Sequence, residues 1–220
     1  MAKDMRTSEI DGGRESPDES YFMRLLVPSA ERVTAGAVRA ELKRARLAIK
    51  LAVEAGTDNE WEQLTLEHRQ GEMISMIQRI PVLPGSDGAA LLESYSRGLP
   101  GVKPLGGAKW VQAFLAKVKV IYSFEILDGT DHDRGWDGLY ILQGMLQKQL
   151  GGIFQSDGEG FSNEEGHHVT WQFDDDVAGP WNMAVLQGGR WESFQMELEN
   201  RGQRRAFQEG RIPPNTRPVR

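Results

Sequence analysis

Alternating apolar and polar residues predict strands in both halves of the chain. The segments 49–54 (IKLAVE) and 169–173 (VTWQF) alternate in this way, as expected for strands with one buried face. Shorter apolar runs bounded by glycine, proline or polar turns predict the remaining strands. These lie at 21–27, 61–67, 73–80, 118–127, 153–157, 183–186 and 191–198.

Apolar residues spaced three or four apart predict helices between the strands. The clearest case is 135–150, where Leu139, Leu142, Leu146 and Leu150 share one face and Gly151 follows. A stripe of leucines ended by glycine is typical of a helix that packs on a core. Further helices are predicted at 33–45, 87–98, 105–117 and 201–208.

The order of predicted elements is similar in the two halves. Each half contains a strand, a helix, three strands and a short helix, followed by a glycine and then a proline, at Gly98 and Pro100 and at Gly210 and Pro213. We therefore predict an α+β fold: a tandem duplication of this unit, mostly antiparallel sheet, with helices packed on one face. An α+β chain without a duplication can also be divided into similar halves, and this alternative stays open.

The duplication divides the chain into five predicted segments. They are a disordered N-terminal tail at 1–20, a first repeat at 21–101, a linking helix at 102–117, a second repeat at 118–213 and a C-terminal tail at 214–220. The first of these segments is charged and polar, with little to bury, which is typical of disorder.

Composition excludes several classes of function. The 220 residues include no cysteine, which excludes thiol catalysis and cysteine-based zinc sites. No stretch approaches about 18 uninterrupted apolar residues, and the N-terminus lacks the apolar core of a signal peptide. We expect a cytoplasmic protein without a membrane partner.

Charge is unevenly distributed along the chain. The net charge of −6 argues against nucleic acid as the main partner, because phosphate contacts favour a basic surface. Residues 151–200 contain ten Asp or Glu and one Arg, whereas residues 201–220 contain six Arg and one Glu. The pattern favours a solvated acidic surface beside a basic tail, with recruitment of a polycation as the alternative.

The densest polar segment is 155–168 (QSDGEGFSNEEGHH). Its glycines permit tight turns, and its carboxylates and histidines could act as metal ligands or as a general base. The residues that would form a metal site are Asp157, Glu159, His167 and Asp174, which makes a metal-assisted hydrolase one hypothesis. The order of residues in a calcium-binding loop and the serine-nucleophile elbow are both absent. A solvated hairpin loop is the simpler interpretation, and no cofactor is expected.

Tryptophans are concentrated in the second half, at positions 136, 171, 181 and 191. Tryptophan on a sheet is usually buried in the core, but exposed tryptophan with an acidic rim is typical of a protein-binding surface. The predicted surface contains Trp181, Trp191, Asp157 and Glu159. We expect a non-catalytic protein-binding or regulatory protein, of immunity or adaptor type, whose partner is another protein or a second copy. A self-assembling structural protein that pairs through a sheet edge is a further alternative.

Overall fold

Most strands and helices lie along the chain where the apolar patterns predict them. The structure is a computed structural model that describes residues 20–132 and 134–219. Apart from Ser20, the predicted disordered tail lies outside these residues. The helices are α1 (Ala35–Arg44), α2 (Asp87–Gly98), α3 (Leu105–Leu115), α4 (Gly135–Leu150) and α5 (Arg201–Gln208), with a short 3₁₀ turn at Asp128–Asp131.

The strands of the described chain form two sheets. They are β1 (Tyr21–Val27), β2 (Ile49–Ala55), β3 (Gln63–His68), β4 (Met73–Pro81), β5 (Val120–Ile126), β6 (Ile153–Ser156), β7 (Gly160–Phe161), β8 (Pro180–Gln187), β9 (Arg190–Glu197) and β10 (Arg217–Pro218). Seven of them form one sheet in the order β2-β3-β4-β5-β1-β6-β7, and the rest form a small sheet in the order β10-β9-β8. Neighbouring strands in both sheets are antiparallel. The predicted α+β class with mostly antiparallel sheet is confirmed.

Helices cover parts of both faces of the large sheet, where the sequence predicted one face. In β1, Leu25 and Val27 join a core with residues of α1 and α4, while Leu26 joins a second core with residues of α2 and α3. Because successive side chains point to opposite faces, an uninterrupted apolar strand such as Leu25–Val27 needs cover on both sides.

Strand connections differ between the two predicted repeats, and the tandem duplication is not confirmed. β5, from the predicted second repeat, lies between β4 and β1 of the first. The connection from β1 through α1 to β2 passes three strands, whereas the connection from β5 through α4 to β6 passes only β1. The hairpin β8–β9 then forms its own sheet instead of extending the large one.

The α3 helix joins the two sheets. Gly107 lies so close to the backbone carbonyl of Val169 that a Cβ atom there would overlap it. Trp110, one turn further along, packs edge to face on Trp191 of β9, with ring centroids 5.0 Å apart. The predicted linking helix is therefore a packed element of the second core.

Trp61 fixes the entrance to α1. Its indole Nε1 donates a 2.7 Å hydrogen bond to the carbonyl oxygen of Val33, and its ring lies 5.5 Å from that of Tyr122. With 2% of its surface exposed, Trp61 is one of the largest fully buried side chains.

Among the described helices, none has the length and apolar content needed to cross a membrane.

Candidate functional site

Asp157, the first predicted site residue, is paired with an arginine of the central strand. Arg24 on β1 faces Gln155 across the β1–β6 ladder. Its Nη1 donates to Asp157 Oδ1 at 2.5 Å and to Gln155 Oε1 at 2.8 Å. Tyr95 of α2 donates to the same Gln155 oxygen at 2.7 Å. Asp157 thus fastens the turn after β6 to β1, although 39% of its side chain remains exposed.

Glu159, the second predicted residue, lies in a less polar environment. The hydroxyl of Tyr21 donates to Glu159 Oε1 at 2.9 Å, and burial raises the pKa of Glu159 above its ordinary value. Burial and the nearby Glu159 charge raise the pKa of Tyr21, so the hydroxyl stays protonated and keeps donating. The Nε2 atom of His168 lies 4.0 Å from Glu159 Oε2.

His168 connects Glu159 to a group of aromatic side chains. Burial lowers the pKa of His168 to about 4, so its imidazole is neutral at pH 7. The ring centroid lies 4.9 Å from that of Trp181 and 5.3 Å from that of Phe173. Glu159 and Trp181, two of the predicted site residues, are therefore neighbours through His168.

Three aromatic residues lie beside this contact, and three carboxylates follow one of them directly along the chain. The Phe173 ring lies 5.0 Å from Trp181 and 5.2 Å from Trp171, and all three side chains are half-buried. Asp174, Asp175 and Asp176 follow directly and are exposed. We call Trp171, Phe173, Trp181 and Asp174–Asp176 the aromatic–acidic surface.

The segment carrying Trp171 and Phe173 is not the regular strand that alternation predicted. Trp171 N donates to the carbonyl of Lys103 at 2.6 Å, and Asp174 N donates to the carbonyl of Gly158 at 2.8 Å. The backbone is thus held by two separate loops rather than by a neighbouring strand. The alternation reflects which side chains face the small sheet's core, since Trp171 and Phe173 pack against it.

Trp191 lies apart from the aromatic–acidic surface. It packs on Trp110 and belongs to the interface between α3 and the small sheet. Among the residues predicted to form a binding surface, the structure brings Glu159 and Trp181 together through His168, ties Asp157 to Arg24, and places Trp191 against α3.

The four residues of the metal hypothesis have different neighbours. Asp157 pairs with Arg24, and His167 Nδ1 lies 3.4 Å from Glu165 Oε2. The Asp174 carboxylate packs against Gly158, where a Cβ atom would overlap it. Across residues 20–132 and 134–219, no group of three or more His, Asp or Glu side chains is placed to hold a metal ion.

Sequence reasoning missed Arg24, Tyr21 and the site role of Phe173. A signal for Arg24 was present, because a charged residue inside the apolar run of β1 is rarely buried without a partner. No comparable signal marks Tyr21 as a partner of Glu159, 138 residues further along the chain.

The aromatic–acidic surface combines partly exposed aromatic rings with negative charge, a combination suited to cationic side chains. One such contact already exists, because the Arg204 guanidinium lies 4.9 Å from the centre of the Trp171 ring.

Comparison with known proteins provides no relative: no family model, no curated protein and no solved structure matches this chain.

Proposed function

We propose that this chain is a non-catalytic protein-binding protein that recognises a basic segment of a partner through the aromatic–acidic surface. The observation that carries the proposal is that three half-buried aromatic rings, in contact through Phe173, are followed directly along the chain by three exposed carboxylates. A cytoplasmic regulator of immunity or adaptor type is the biological role we propose for it.

The aromatic rings supply the apolar part of such an interface. Tryptophan is enriched among the residues that dominate binding energy. Trp171, Phe173 and Trp181 are held by mutual contacts and by the core of the small sheet. Because the rings are already positioned, binding would cost little additional side-chain entropy.

The carboxylates supply charge complementarity. Asp174–Asp176 lie within residues 151–200, where ten acidic residues accompany one arginine. Such a concentration of negative charge accelerates association with a basic partner and makes the rate depend on salt. Arg204 above Trp171 supports the choice of a guanidinium as the group recognised.

A charge-neutral triple variant tests the proposal without disturbing the core. Asp174→Asn, Asp175→Asn and Asp176→Asn change only exposed side chains. The matched control is Glu60→Gln, Glu62→Gln and Glu72→Gln, which removes the same charge from exposed positions in the first half. Binding of a labelled arginine-rich peptide is measured by fluorescence anisotropy at low and physiological salt.

We expect the Asp174–Asp176 variant to bind the peptide about tenfold more weakly and the control variant to bind like the wild type. Trp181→Ala should weaken binding at both salt concentrations, since its contribution is largely apolar. Equal loss of affinity in the two triple variants would mean that binding depends on net charge alone, and it would refute the proposed surface.

A further inference from the structure

A basic groove of about 740 Å³ lies between α1 and the edge strand β2. Its floor is apolar, with Leu42 and Leu47 buried beside Ile49 and Leu51. Every charged residue in its lining is basic: Arg39, Lys43, Arg46, Lys50 and Arg69. This is unexpected in a chain whose net charge is −6.

The groove follows an unpaired edge of the large sheet. β2 is the terminal strand, and within the described residues no strand pairs with its outer side. The backbone carbonyl of Ala48 points towards the rest of the sheet, since it accepts from Arg69 N at 3.1 Å. Along an edge strand, residues alternate between directing their backbone N–H and C=O groups towards the neighbouring strand and directing them away from it. Ile49 and Leu51 therefore direct theirs away from the sheet and into the groove. Arg39 Nε donates to the carbonyl of Leu51 at 3.2 Å, which shows that this carbonyl points outward and means that an added strand must displace Arg39 there.

Three of the five basic side chains have no acidic partner among the residues that the structure describes. Arg39 pairs with Asp58 at 2.5 Å and Lys50 with Glu67 at 3.1 Å. Lys43, Arg46 and Arg69 are exposed and form no ion pair with any residue in the described part of the chain. An occupant of this groove would therefore meet a net positive charge.

These properties point to one class of occupant. A free phosphate would use the cations but neither the apolar floor nor the backbone edge. An extended polypeptide uses all three, because its backbone pairs with the edge while alternate side chains face different sides. We propose that β2 accepts an acidic, extended segment of a partner protein as an added strand, with apolar residues on the floor and carboxylates beside Lys43, Arg46 and Arg69.

A designed peptide tests this inference on the full chain. The probe is a labelled peptide that alternates valine and glutamate, and its binding is followed by fluorescence anisotropy. One control peptide replaces glutamate by the neutral glutamine. Another carries a central proline, which removes a backbone donor and interrupts strand pairing. The probe should bind, whereas the glutamine peptide and the proline peptide should each bind at least about tenfold more weakly.

Protein variants locate the site. Lys43→Glu, Arg46→Glu and Arg69→Glu together should reduce probe affinity by at least about tenfold. The same charge change at exposed positions elsewhere, Arg97→Glu, Lys109→Glu and Lys117→Glu, should leave it unchanged. The asparagine variant at 174–176 should also bind the probe like the wild type, so failure here and failure of the proposed function are distinguishable.

Each other outcome overturns the inference. Absence of probe binding does so directly. Equal binding of the proline peptide, or displacement of the probe by tripolyphosphate at equal concentration, would mean a simple anion site. A wild-type dimer in light scattering that the charge-reversal variant at 43, 46 and 69 abolishes would identify a second copy as the occupant.

Discussion

His168 Nε2 lies 4.0 Å from Glu159 Oε2, and the two side chains are only 13% and 20% exposed. Burial is the main cause that lowers the pKa of His168 from 6.5 to about 4, and the neighbouring His167 lowers it further. The contact is therefore made by a neutral imidazole that packs between Phe173 and Trp181.

Stability should fall on acidification because of His168. In the unfolded chain, this imidazole binds a proton below pH about 6.5, whereas the folded protein resists protonation until about pH 4. The unfolded state thus gains protons first, and the free energy of unfolding decreases through this window. From pH 7.5 to 5.0 the loss from this group is about 2 kcal/mol.

Urea denaturation of the wild type and His168→Gln at pH 7.5 and 5.0 measures this effect. The variant should show a pH dependence smaller by that amount. Glu159 has the opposite effect on stability, since its raised pKa makes the folded state take up a proton first on acidification. Glu159 is present in both proteins, so its effect cancels in the comparison. The same pH dependence in the two proteins would contradict the assignment.

Arg24 and Asp157 should show strong energetic coupling. Arg24→Met would remove the donor to both Asp157 and Gln155 in a site where only 13% of the arginine side chain is exposed. We expect a loss of about 2–4 kcal/mol, because polar groups are left without partners. A double-mutant cycle with Asp157→Asn should give a coupling of about 1–3 kcal/mol.

The control for this cycle is the exposed pair Arg134–Asp137, whose side chains are 54% and 50% exposed. Its coupling should stay below about 0.5 kcal/mol. Comparable couplings in the two cycles would mean that Arg24 contributes no more than a surface ion pair.

Two neighbouring glycines of α3 should respond oppositely to alanine. Gly107→Ala places a methyl group against the carbonyl of Val169, whereas Gly106→Ala meets nothing within 4 Å. We expect Gly107→Ala to lower the free energy of unfolding by about 1–3 kcal/mol or more. Gly106→Ala should raise it by about 0.5–1 kcal/mol, since alanine favours helix. Thermal unfolding of both variants checks the packing of α3 on the second half.

Replacing Trp61 by phenylalanine should cost about 1–3 kcal/mol, because the buried carbonyl of Val33 loses its donor. Trp136→Phe is the comparison: Trp136 is half-buried, stacks on Tyr140, and its indole N–H donates to no described residue. It should cost well under about 1 kcal/mol. Chemical denaturation of the two variants compares a fully buried, hydrogen-bonded indole with a half-buried one.

Local patterns predicted the individual elements well. The helix predicted at 135–150 is α4, and the alternation at 49–54 corresponds to β2. The strand predicted at 169–173 is absent because alternation reports which side chains are buried, not where the backbone bonds go. At Trp171 the backbone bond goes to Lys103, a partner that local sequence does not indicate.

The candidate site was predicted only in part, because its contacts join residues that are far apart in the chain. A glycine-rich polar loop indicated Asp157 and Glu159, but the partner of Asp157 is 133 residues away on β1. The contact of Trp181 with His168 depends on how the loop folds back onto the small sheet. The predicted surface also contained Trp191, but this residue packs on Trp110 of α3 instead.

The position of β5 between β4 and β1 determines when the protein can fold during synthesis. Val27 pairs with Val120 and Leu26 with Ile153, so β1 has neither partner until the ribosome has added the roughly ninety residues that separate it from β5. Such a high contact order slows folding. We expect nascent chains that stop before β5 to expose the apolar edge of β1 and to need chaperones until synthesis has passed β6.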